Sequence, residues 1–100
     1  MDQDETPTPK QSGSYAMMQN ICVETLRSLE AWRAAAVKAQ QWNRLGQIEA
    51  FQERFGSLLE AVKSWSADPP EAAMKARTIE GILRARTEAT NLGARWGLTL

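Results

Sequence analysis

YAMMQNICVETLRSLEAWRAAAVKAQ, residues 15–40, carries apolar or small side chains at Tyr15, Met18, Cys22, Thr25, Leu29, Trp32 and Ala36. The spacings alternate between three and four. Residues so spaced share one face of an α-helix with 3.6 residues per turn. Leu26 and Val37 widen the stripe, while Glu24, Arg27, Glu30 and Lys38 fall on the opposite side. Ser14 is a candidate N-cap, since its hydroxyl can accept from a free amide of the first turn. The segment therefore reads as an amphipathic helix that must be covered by something.

The next stretch, from about Trp42 to Trp65, repeats the pattern. Leu45, Ile48, Phe55, Leu59 and Val62 form a stripe flanked by Phe51, Leu58 and Trp65. Gly46 and Gly56 each lower helix propensity by roughly 1 kcal/mol relative to Ala. No Gly or Pro separates the two stretches, so a tight turn at Gln40–Gln41 and a continuous or kinked helix are both open. Ser66–Pro70 is the clearest punctuation. Asp68 suits an N-cap, Pro69 a first helical position and Glu71 the acid of a capping box. A third helix is expected over 69–96, with Ile79, Ile82, Leu83, Ala89, Met74 and Trp96 on its apolar side and Gly97 as its stop. No strand-like alternation occurs. The expected architecture is all-α: an antiparallel helical hairpin over about 15–40 and 42–65, with a third amphipathic helix laid on it as a small three-helix bundle.

Residues 1–14, MDQDETPTPKQSGS, hold two prolines, a glycine and no large apolar residue beyond Met1. They read as a disordered tail, leaving 15–100 as the one domain. Twelve basic residues balance twelve acidic ones across the 100-residue chain, so no net charge draws it to nucleic acid or anionic membrane. It lacks histidine and has one cysteine, Cys22. The usual proton-transfer side chain, common zinc sites and an intrachain disulfide are thereby removed. An enzyme is not expected, nor a cofactor or metal. No run of apolar residues is long enough for a membrane span, and the N-terminus lacks the layout of a signal peptide. A cytoplasmic protein is the default expectation.

Several constellations invite a chemical reading. Glu49 and Glu53, with Glu60 on the same helix side, resemble a carboxylate pair, but nothing in the pattern would raise a pKa, so a solvated acidic face is favoured. Arg77, Arg84 and Arg95 form a basic stripe that Glu80 and Glu88 can neutralise at i, i+4 spacing. Arg33, Gln52 and Arg86 fall within apolar stripes. Their stems can lie along apolar surface with heads in water, or they can fix the register of a partner helix in an open groove. Four tryptophans fit core positions and protein interfaces alike.

WNRLGQIEAFQERFGSLL, from Trp42, resembles the tryptophan-led pattern of FliT-type flagellar export chaperones, through Trp42, Leu45, Ile48 and Glu49. The preceding VETLRSLEAWRAAAVKAQ resembles that family's Leu-rich first helix. The Asp68–Pro69–Pro70 break and the amphipathic helix after it follow in the same order, so the resemblance spans roughly residues 15–96. Gln40–Gln41 stands where the family often has a Gly–acid turn, and Gln52 where it often has Arg. The resemblance implies a cytoplasmic chaperone that binds a helical segment of the secreted filament-cap protein, keeps it soluble before export and contacts the export apparatus. Partner-binding residues expected on that reading are Phe51, Leu58, Ile82, Leu83, Arg86 and Trp96. Trp42, Leu45 and Ile48 are expected to hold the hairpin together. The alternatives are a self-associating helical adaptor or a chaperone for an injectisome substrate.

Overall fold

Apolar stripes on successive helices must cover one another, and here they do. The computed structural model describes residues 8–100, with side chains from Tyr15 onward, and contains α1 (Thr8–Lys38), α2 (Trp42–Lys63), a single 3-10 turn (Ser64–Ser66) and α3 (Ala72–Arg95). Among the described residues there is no strand. The bundle measures 54 × 23 × 20 Å, a rod about as long as the 31-residue α1 at 1.5 Å per residue. The all-α three-helix bundle expected from the sequence is the fold.

Of the segment expected to be a tail, residues 1–7 lie outside the described residues. From Thr8 the backbone is helical, so α1 begins earlier than Tyr15. Pro9 falls in the first turn, where its missing N–H would have no helical partner anyway.

The α1–α2 connection is a tight turn. Gln41 N–H donates to Ala36 C=O at 2.8 Å and Gln40 N–H to Val37 C=O at 3.1 Å. Gln40 lies at φ 57°, in the left-handed region. This pair of bonds is the Schellman pattern, which reuses carbonyls that a helix end otherwise leaves free. The same pattern closes α3, with Leu98 N–H on Gly93 C=O at 2.7 Å, Gly97 N–H on Ala94 C=O at 3.2 Å, and Gly97 at φ 74°.

The start of α3 departs from expectation. It begins at Ala72 rather than Pro69, with Glu71 extended at its N-cap and no side-chain cap bond from it. A proline disfavours the α region for the residue before it, so Pro70 keeps Pro69 out of the helix.

The core follows the stripes. α1 supplies Met18, Cys22, Thr25, Leu29, Trp32 and Ala36; α2 supplies Ile48, Phe55 and Val62, seven residues apart. Trp65 follows in the 3-10 turn, and α3 adds Ile82, Ala85, Ala89 and Leu92. Phe55, Leu29, Ile48, Ile82 and Val62 are the large side chains fully enclosed, each stabilising the fold by about 1.5–3 kcal/mol through burial. α1 and α2 share the widest interface, and α3 leans more on α2 than on α1. Trp42 corrects one expectation, because 60 % of its surface is exposed. It is the first residue of α2, one step past the turn, and Ile48 closes the hairpin instead.

Candidate functional site

Cross-helix contacts fix the register of the three helices. Arg33 lies 3.5 Å from Glu49, and the Gln52 amide donates to Glu30 at 3.0 Å. α1 and α2 are therefore antiparallel, and these four groups form one polar strip along their seam. Arg33 also reaches Glu30 at 3.5 Å. Two of the polar residues in apolar stripes are thus engaged across the hairpin, and Glu49 belongs to an ion-pair strip rather than to a carboxylate pair with Glu53.

α3 runs antiparallel to α2. Arg44 covers the Trp96 ring at 4.8 Å, Arg54 bridges Glu88 at 2.8 Å, the Leu58 side chain approaches Gly81, and Lys75 sits 5.7 Å from the Trp65 ring. Glu88 therefore pairs with α2 instead of Arg84. The Arg54 hydrogen bond holds the Glu88 carboxyl below its ordinary value against an opposing burial effect, with lesser help from the Arg54 and Arg84 charges. Within α3, Glu80 and Arg84 do pair, at 3.4 Å.

α3 is parallel to α1, and it comes closest where Gly93 faces Trp32. A Cβ on Gly93 would collide with Trp32 Cη2. Trp96 packs edge-on to the same ring, with centroids 6.3 Å apart. The Cys22 thiol, enclosed between the helices, is pushed up from its ordinary pKa by burial. It is a packing residue, poorly placed to form the reactive thiolate.

These contacts disperse the six residues expected to bind a partner. Phe51 and Leu58 are half-buried in the α2–α3 seam, which Gly81 and the Arg54–Glu88 bridge close. Ile82 is fully buried and presents nothing to solvent, because its neighbours at 78, 79 and 85 turn the same face inward. Trp96 is half-buried at the hairpin end of the rod, between Trp32 and Arg44. Leu83 remains on the outward side of α3, with Arg86 half-buried next to it, between Leu83 and the Glu24, Thr25 and Ser28 side of α1. Leu83, 46 % exposed, joins two shallow depressions, one with Ala76, Ile79 and Thr87, the other with Arg86, Thr90 and Asn91. The Thr87 and Thr90 hydroxyls donate back to the Leu83 and Arg86 carbonyls, at 3.0 and 2.8 Å. Their hydrogens are therefore spent inside the helix, and this face offers mainly carbon. Met74, nine residues before Leu83 and therefore on the opposite side of the helix, is also exposed.

Sequence reading missed the opposite end of the rod, where Val37, Trp42 and Leu98 stand exposed beside the α1–α2 turn and the end of α3. The absence of Gly and Pro at Gln40–Gln41 hid the turn, and with it the exposure of Trp42. Among the described residues, no group of three His, Cys, Asp or Glu is placed to hold a metal ion, and no helix is long and apolar enough to cross a membrane. Comparison with family models, with curated proteins and with solved structures finds no match to this chain.

Proposed function

We propose that this protein holds a helical segment of another protein chain on the outward face of α3. Its specific form is the export chaperone that the Trp42–Glu49 pattern resembles, with the secreted filament-cap protein as client. The observation that carries the reading is the exposed Leu83 and the shallow depression it lines with Ala76, the half-buried Ile79 and Thr87, which no other helix among the described residues covers. An amphipathic helix laid there displaces water from apolar surface, the main source of helix-in-groove affinity. Arg77, Glu80 and Arg84 along the same face supply edge charges of both signs, which set orientation more than strength.

The client segment sits across α3 rather than in the α2–α3 seam. Leu83 and Arg86 are the expected contacts from the original six, with Ile79 added at the edge of the same depression.

Titration calorimetry with the C-terminal helical segment of the filament-cap protein from the same organism tests this. Binding that Leu83→Glu abolishes, with the melting temperature unchanged, supports it. No heat with that segment removes the chaperone reading. A homo-oligomer that Leu83→Glu dissolves would replace it with self-assembly.

A further inference from the structure

The hairpin end of the rod combines exposed apolar surface with charge of one sign. Trp42 is 60 % exposed, Val37 41 % and Leu98 36 %. No Asp or Glu occurs from Ala31 to Ile48 or from Ala89 to Leu100. Those segments hold Arg33, Lys38, Arg44 and Arg95, and among the described residues only Arg33 has a carboxylate partner. The Lys38 and Arg95 charges face the carbonyl ends of α1 and α3, and α2 starts here with no side-chain cap on its amides. Helix ends carry about half a charge each, two negative and one positive here, so about +2.5 remains.

From these observations we infer a second docking site at the Trp42 end, for an acidic segment of a partner protein carrying an apolar anchor. The anchor covers Trp42 and Val37, and its carboxylates meet Lys38 and Arg44. Charge complementarity selects this occupant. Three cations and one exposed ring make too short a track for nucleic acid, which needs a line of phosphate contacts and stacking rings. Three basic side chains alone also hold an anionic bilayer weakly, at about 1 kcal/mol each. Leu83 lies twelve residues before Arg95, where α3 ends beside Leu98, a separation of about 18 Å along the helix. A client on the α3 face and an acidic segment at the hairpin end can therefore be held together.

The test is fluorescence anisotropy of a short dye-labelled peptide of Glu residues with a central Leu–Phe pair, titrated with the full chain. Saturable binding is expected, lost in molar NaCl and weakened at least about tenfold by Trp42→Ala and, separately, by Lys38→Glu. Both positions are exposed, so circular dichroism should stay as in the parent; Trp42→Ala should keep its melting temperature, whereas Lys38→Glu, which puts a carboxylate at the carbonyl end of α1, should lower it slightly. Leu83→Glu should leave this binding intact while removing the client on α3, so the two sites fail separately. Absence of peptide binding overturns the inference. So does binding that survives both substitutions, or that only Leu83→Glu removes. Binding to phosphatidylserine vesicles without binding to the peptide would also overturn it, in favour of a membrane surface.

Discussion

The two halves of α3 carry similar amphipathic sequence and meet different surroundings. From Ala85 to Trp96 the helix is pressed between α1 and α2. Its inward residues there are small, Ala85, Ala89 and Gly93, with Leu92, and they let the backbone approach Trp32. From Ala72 to Leu83 only Ile82 is fully enclosed, and Met74 and Leu83 are exposed on opposite sides of the helix. Small residues buy close approach where α3 is sealed, and large ones are left uncovered where it is open. Apart from Ile82 and Leu92, side-chain size therefore runs opposite to burial along this helix. That inversion separates the part of α3 that holds the fold from the part available to a partner.

Adjacent residues give the sharpest way to break this contrast. Ile82→Ala is expected to cost about 2–5 kcal/mol, because it leaves a cavity in a closed core. Leu83→Ala, one position on, should change stability by no more than about 0.5 kcal/mol, as exposed substitutions do. Urea denaturation of both variants measures the difference. Equal losses would mean that α3 is rotated from the arrangement described.

Gly93→Ala probes the sealed half itself. The added methyl meets the Trp32 ring and the Leu98 carbonyl, and the close approach must open. A loss of about 1–3 kcal/mol is expected, the range for overpacking. Trp32→Phe lacks the clashing Cη2 and Cζ2 atoms, so the double variant should lose less than the sum of the single ones. Strict additivity in that cycle would show that the ring and the glycine do not meet.

The α1 stripe was legible through its middle, where Met18, Cys22, Thr25, Leu29, Trp32 and Ala36 all turn inward, but not at its ends, where Tyr15 is half-buried and Val37, expected to widen the stripe, is exposed. The periodicity of a long helix packed along its whole length leaves little choice of face. α3 was less legible. Reading large apolar residues first puts Met74 and Leu83 in the core, whereas the packed edge is made by alanines and a glycine that hydrophobicity underweights. The two Schellman turns show the same limit. Gly97 announces its turn, since glycine takes positive φ without strain. Gln40 adopts the same geometry unannounced, and its side chain costs roughly 1 kcal/mol in that region. Gln40→Gly should therefore stabilise the protein by up to about 1 kcal/mol in thermal melts, and a destabilised variant would mean the turn is not left-handed at Gln40. The candidate site was legible only at Leu83 and Arg86, because partner contacts depend on which face the third helix turns outward. No spacing within one helix encodes that choice.

The smallest expected effect concerns how the sealed half is tied to α2. Glu88 reaches Arg54 across the seam, whereas Glu80 in the open half bridges only to Arg84 of its own helix. The Arg54 hydrogen bond makes the folded Glu88 carboxyl harder to protonate than the unfolded one. Its contribution is present above the unfolded carboxyl pKa and is lost as pH falls through the lower folded value. Melting temperature followed down through the carboxylate range should therefore fall less steeply in Glu88→Gln than in the parent. Both side chains are partly solvated, at 41 % and 47 % exposure, so molar salt should shrink the difference. Arg54→Met should show the same flattened acid limb, because either substitution removes the one bridge. If both variants keep the parent's profile, the Arg54–Glu88 bridge is absent in solution, and α3 is held to α2 by its small apolar edge alone.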